Sequence, residues 1–174
     1  FDAGDAAALH SAVLSAVAPP FLVLDQAGIE QAQGTVGGEA VPLPPGRYRV
    51  LVGATEVEVE LETHEVYRPD VVGWRRDRVP ERPKGRPVRI RPDWVCEVLS
   101  PGTAANDLGP KLRAYQRCGV PHYWVVDPEH RTLTVYRWRP EGFLVALAAG
   151  AGERVRAEPF DAIDVDLGLF FGDS

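Results

Sequence analysis

The chain has 174 residues and a formal charge of −6, from 19 Lys and Arg against 25 Asp and Glu. Hydrophobic residues at 45% and charged residues at 25% are ordinary globular proportions, which exclude disorder and collagen-like order. The length suits one domain over residues 1–174 with its own core, no apolar run approaches the roughly 18 residues of a membrane span, and two cysteines are too few for a secreted disulfide scaffold.

The sequence contains no methionine, so Phe1 is not read as a native translation start. No basic segment followed by an apolar one appears before Ala8, and a cytoplasmic protein is expected. Asp5 to Ala18 places Leu9, Val13, Leu14 and Val17 at helical spacing, with Asp5 as a cap, and Pro19-Pro20 ends that helix. Phe21 to Asp25 reads as a short strand. Gln31 to Gly46 holds seven Gly or Pro residues and reads as a loop. Arg47 to Val52 and Glu56 to Glu62 read as the two strands of a hairpin. In the second, Val57, Val59 and Leu61 alternate with four glutamates, giving one buried and one wet face.

Asp70 to Arg75 is a further predicted strand, and Asp93 to Ser100 (DWVCEVLS) is the most strand-like run of all. Pro110 suits only a first helical turn, so the spacing predicts an N-cap near Asp107 and a helix from Leu108 to Cys118, with Gly119 as the C′ residue. Three strands are predicted next, at His122–Asp127, Thr132–Trp138 and Phe143–Ala148. Pro159 to Phe171 follows as a mostly apolar tail. This order predicts an α/β or α+β domain around one mixed sheet.

Charge is unevenly placed. Arg75 to Arg91 (RRDRVPERPKGRPVRIR) has eight basic residues to two acids, +6, whereas the rest of the chain has eleven to twenty-three, −12. One reading is a solvated, Pro-rich loop. The other is an electrostatic footprint for phosphate, with Arg75, Arg76, Arg82, Lys84 and Arg86 as candidate DNA contacts.

Strand alternation puts Asp93, Val95, Glu97 and Leu99 on one face, making Glu97 a carboxylate in an otherwise apolar strand. Such a group is costly unless it sits at an edge, is paired or binds a metal. Asp70 shares its own strand face with Val72 and Trp74. Two carboxylates on adjacent strands form a hard oxygen site suited to Mg²⁺. Lys111 and Tyr115 are one helical turn apart in the segment that follows. Lys111 either forms an ion pair with Asp107, with Tyr115 as core, or stands beside the two acids to orient an attacking water.

The segments RPDVVGWRR, RPDWVCEVLSPGT and GVPHYWVVDPEHRTLTVYR, with Asp107, Lys111 and Tyr115 between the last two, resemble the Uma-two family of restriction endonucleases within the PD-(D/E)XK nuclease superfamily. The resemblance runs from about Tyr67 to Trp138, with the closing EPFDAIDVDLGLFF also similar. It implies a restriction-endonuclease-like core, a central mixed β-sheet flanked by helices. It further implies Mg²⁺-dependent (or Mn²⁺-dependent) phosphodiester hydrolysis, with Asp70, Glu97 and the Val98 carbonyl as metal ligands and Asp70, Glu97, Lys111 and Tyr115 as catalytic residues. The motif lysine would fall two residues after Glu97, where this chain has Leu99; the resemblance places its counterpart at Lys111, with Tyr115 completing a KxxxY pattern. DNA is the implied partner, and cutting both strands would suit a homodimer. Two alternatives are a non-catalytic DNA- or protein-binding module on the same fold, and a metal-dependent hydrolase acting on another substrate.

Overall fold

In the computed structural model of the chain, residues 57–171 are described except 76, 82 and 163, together with the backbone of residues 21–24, 30–34, 40–41 and 48–52. The helix expected over residues 5–18 lies outside these. In chain order the strands are β1 (Phe21–Leu24), β2 (Glu30–Gly34), β3 (Ala40–Val41), β4 (Tyr48–Val52), β5 (Val59–Glu62), β6 (Glu65–Tyr67), β7 (Val71–Arg75) and β8 (Trp94–Val98). After β8 comes a helical segment made of α1 (Ala104–Asn106), a wide π turn (Asp107–Lys111) and α2 (Leu112–Arg117). Then follow β9 (His122–Asp127), β10 (Thr132–Arg139), β11 (Gly142–Gly150), β12 (Arg154–Val155), β13 (Val165–Asp166) and α3 (Leu167–Phe170).

The main sheet has the order β11-β10-β9-β8-β7-β4-β3. It is mixed: β8 and β9 are parallel and the other neighbours antiparallel. A parallel pair needs a long crossover, and the α1–α2 segment supplies it. β8 and β9 lie inside the sheet with both faces covered, which is why their sequences are apolar at nearly every position.

Side-chain alternation divides the core in two. Trp94, Cys96, Trp124 and Val126 face the C-terminal tail, where Phe160, Leu167 and Phe170 pack on them. Val72, Trp74, Val95, Tyr123 and Val125 face the other way, against Tyr115 of α2. Glu97 follows Val95 by two residues and so falls on the Tyr115 side.

Four expectations are corrected. The stretch read as a loop, residues 31–46, contributes to β2 and β3, which pair with β1 and β4. Ladder hydrogen bonds come from the backbone, so a neighbouring strand can order a Gly-rich segment that side-chain preference alone would leave irregular. The expected hairpin does not form: β4 pairs with β7 and β3, whereas β5 pairs with β6 in a separate two-stranded sheet. Glu58, Glu60 and Glu62 of that region are not simply solvated, because they pair with Arg68, Arg89 and Arg117 respectively.

The helix begins at Ala104, not Leu108, and Pro110 lies inside it. Proline lacks the amide that an α-helix needs and its ring crowds the carbonyl four residues back; widening the turn to π geometry relieves both. The far end matches expectation. Gly119 has φ +68°, its amide reaches Gln116 O at 3.0 Å, and the Val120 amide reaches Tyr115 O at 2.9 Å, a complete Schellman cap.

The basic stretch is tied down rather than free. Val79 and Val88 are buried in the Tyr115-side core. Val88 exchanges backbone hydrogen bonds with β5 and its approach, donating to Glu58 O at 2.7 Å and accepting from the Glu60 amide at 2.9 Å. Arg78 pairs with Asp93 at 2.9 Å, Arg75 with Asp77 at 2.7 Å, and Arg89 with Glu60. Asp93 and Glu60, from outside the stretch, thus offset two of its six net positive charges.

Candidate active site

β7 and β8 bring two acids face to face. Their register pairs Val71 with Cys96, and continuing it by one residue sets Asp70 opposite Glu97. The Val98 amide donates to Asp70 Oδ2 at 2.8 Å, and the Asp70 amide reaches Glu97 Oε2 at 3.4 Å. Each carboxylate is thus oriented by the other's strand.

The helical segment adds the rest. Lys111 Nζ lies 3.0 Å from Glu97 Oε2 and 2.8 Å from Asp107 Oδ1. The Tyr115 hydroxyl donates to Glu97 Oε1 at 2.6 Å, so both oxygens of Glu97 are engaged from the helix. Tyr115 is held by rings on two sides, Tyr67 at 5.8 Å and Tyr123 at 5.1 Å. Arg117 pairs with Glu62 and Glu65, pinning the β5–β6 hairpin and hence Tyr67 against α2.

Electrostatically the cluster holds more acid than base. Glu97 and Asp107 are each 1% exposed, Asp70 is partly buried, and Lys111 is the one cation within salt-bridge distance of them among the described residues. Burial, reinforced by the Asp70 charge, pushes the Glu97 carboxyl up to about 8. Burial also raises Asp70, against the opposing effect of the Val98 hydrogen bond. For Lys111, burial works against the charged form, but Glu97 and Asp107 outweigh it and hold the ammonium above its ordinary value. Tyr115 is raised well beyond its usual range by burial and by the Glu97 charge, so it remains a donor.

The donor set suits a hard divalent cation. It is made of oxygens and carries more negative charge than its single lysine can balance. Among the described residues no three acidic, His or Cys side chains stand at metal-binding distance from one another, so Asp70 and Glu97 are the two side-chain candidates. A further oxygen would have to come from the main chain, as expected for Val98, or from water.

The four residues singled out in sequence, Asp70, Glu97, Lys111 and Tyr115, are brought together, with Val98 beside Asp70. Of the candidate DNA contacts, Arg75, Lys84 and Arg86 are not part of this cluster. Arg75 closes β7 five residues beyond Asp70 and pairs with Asp77; Lys84 and Arg86 are exposed in the loop; Arg76 and Arg82 lie outside the described residues. Two contributors were missed. Asp107 figured in sequence as a cap, as an alternative partner for Lys111 and among the residues of the family resemblance, but was given no role at the site. Tyr123, a core residue of the predicted strand at His122–Asp127, donates its buried hydroxyl to the Asp107 carbonyl at 3.0 Å. No local pattern signals that bond.

A mixed sheet whose central strands carry paired acids, crossed by a helix that returns a lysine to them, defines a restriction-endonuclease-like α/β core. The chain belongs to the Uma2 family: the family model, described as "Putative restriction endonuclease", matches residues 39–167. It is also similar in fold to a crystal structure from Anabaena variabilis ATCC 29413 described as "a putative nuclease belonging to DUF820". That similarity has a TM-score of 0.54 at 20% identity, covering 72% of this chain and 69% of the other. No curated protein matches the chain. No helix among the described residues is long and apolar enough to cross a membrane.

Proposed function

We propose that the protein is a divalent-metal-dependent endodeoxyribonuclease, and that Asp70, Glu97, Lys111 and Tyr115 carry its chemistry. The observation that supports this most is Lys111. Although this chain has Leu99 where the strand lysine would stand, the helix delivers an ammonium to within 3.0 Å of Glu97. A lysine turned to solvent would instead have favoured the non-catalytic module.

Asp70 and Glu97 would hold Mg²⁺ or Mn²⁺, with the Val98 carbonyl completing the protein's share. A cation bound there supplies Lewis acidity and a more acidic water near neutral pH. Lys111 would orient the attacking water and offset charge that develops on the phosphate. Tyr115 keeps Glu97 in one rotamer. The Val98 amide keeps Asp70 aimed at the same point. Lys84 and Arg86, with Arg75, Arg76 and Arg82, would grip the DNA backbone, contacts that position without specifying sequence. Cutting both strands would call for two copies related by a two-fold axis, and such an enzyme would work with cellular DNA in the cytoplasm.

Nicking of supercoiled plasmid with Mg²⁺ or Mn²⁺ tests this reading. Wild type should cut, EDTA should abolish cutting, and Glu97→Ala and Lys111→Ala should each lose it. Cutting that survives in Glu97→Ala would overturn the assignment.

A further inference from the structure

We propose that Asp107 is a positioning residue: it anchors the Lys111 ammonium beside Asp70 and Glu97 while those acids carry a divalent cation. The inference rests on the nuclease reading above and extends it to a residue that neither binds the metal nor touches the substrate.

The need for an anchor follows from charge. Lys111 Nζ lies 3.0 Å from Oε2 of Glu97, a carboxylate that would also hold the metal. An ammonium and a dication on the same carboxylate repel one another, twice as strongly as two unit charges at equal separation. The lysine side chain keeps 14% exposure, which leaves it a route toward water. Held by Glu97 alone, it would be driven out by the ion it is meant to assist. Asp107 supplies the opposing attraction from the other side, at 2.8 Å and 1% exposed.

Asp107 is itself fixed in two ways. The i,i+4 spacing stacks it over Lys111 on the inner face of the helical segment. Its carbonyl, in the wide turn that accommodates Pro110, accepts the buried Tyr123 hydroxyl at 3.0 Å. Tyr123 belongs to β9, which pairs in parallel with β8, the strand of Glu97. Both anions that flank Lys111 are therefore referenced to the same two strands. Asp107 would thus hold the ammonium while Asp70 and Glu97 hold the metal.

The test is a double-mutant cycle of Asp107→Asn, Lys111→Gln and the double variant, read by plasmid cleavage with Mn²⁺ and by crystal structures grown with Ca²⁺. Asp107→Asn should lower kcat roughly 10- to 100-fold, the usual effect of losing a residue behind a metal site. KM for DNA should stay within about two-fold, and the double variant should be no slower than Lys111→Gln, because Asp107 acts only through Lys111. Losses that multiply in the double variant, or a wild-type kcat in Asp107→Asn, would overturn the proposal. The crystallographic arm does not depend on activity. With Ca²⁺ present, Lys111 should stay at salt-bridge distance from Glu97 in wild type and withdraw from it in Asp107→Asn. A lysine unmoved in the variant would overturn the anchoring. If Asp107→Asn fails to fold, Asp107→Glu, which keeps the charge but displaces it by one methylene, carries the same cycle with the same expected direction. A wild-type chain inert toward DNA would overturn the nuclease reading, whereas the Ca²⁺ structures would still decide the anchoring.

Discussion

Consider Lys111→Met in the metal-free protein. The ammonium faces Glu97 at 3.0 Å and Asp107 at 2.8 Å, both 1% exposed. Removing one partner of a buried ion pair leaves its counter-charge uncompensated, at a cost of about 3–5 kcal/mol. Lys111 is partly exposed and Glu97 is already raised toward its neutral form, which leaves Asp107 as the counter-charge, so the low end applies, about 3 kcal/mol. For a chain of this size that lowers Tm by roughly 6–12 °C. Glu97→Gln, on the other side of the same contact, should behave differently. With its carboxyl pushed up to about 8, metal-free Glu97 is largely protonated at pH 7, and the amide matches the protonated acid in shape, with one carbonyl acceptor and one donor group. Its Tm should fall within about 2 °C of wild type, an effect under 1 kcal/mol. Thermal unfolding followed by circular dichroism in EDTA measures both. Adding Mn²⁺ at about 100 times its Kd should then stabilise wild type by about 2.7 kcal/mol and leave Glu97→Gln unmoved. Equal destabilisation by the two substitutions would refute the view that the site holds an excess of buried acid.

The raised Glu97 value also sets a pH dependence. Stability from this carboxyl is fully present below its ordinary 4.5 and lost as pH rises toward 8, so the Tm of metal-free wild type relative to Glu97→Gln should decline across that window. By the same linkage, apparent Mn²⁺ affinity should climb with pH up to about 8 with proton release, seen by calorimetry in buffers of different ionisation enthalpy; a pH-independent affinity would count against Glu97 as a ligand. Tyr115→Phe removes the 2.6 Å hydrogen bond to Glu97 but keeps the ring between Tyr67 and Tyr123. It should cost about 1 kcal/mol of stability and slow cleavage about 10-fold, and an unchanged rate would remove Tyr115 from the site. Replacing Lys84 and Arg86 together by Ala should reduce the slope of log affinity against log salt by about 2 if both contact phosphate; an unaltered slope takes the loop out of the DNA interface.

The sequence by itself determined a good deal here. The alternation of Val95, Glu97 and Leu99 within β8 puts an acid on one known face, because strand side chains alternate strictly. Asp70 beside Val72 and Trp74 follows from the same rule. The spacing of Lys111 and Tyr115 puts both on one side of a helix. Gly119 announces its end, since only glycine takes φ +68° without strain. Such signals are local, carried by residues a few positions apart.

What only the tertiary structure decided concerns pairing and charge. Nothing local shows that β4 pairs with β7 rather than β5, because pairing depends on which backbone edges meet after collapse. Pro110 suggested a first turn, but the helix runs through it, since packing of Ala114 and Tyr115 on the sheet outweighs the local penalty and a π turn absorbs the ring. The opening charge of −6 and the +6 of the basic stretch were both sums along the chain. In three dimensions Arg78 and Arg89 are matched by Asp93 and Glu60, while three buried or half-buried carboxyls, Asp70, Glu97 and Asp107, gather around the single ammonium of Lys111. Coulomb interaction falls with distance in space, not with separation in sequence, so only the fold could show that these three acids meet one lysine.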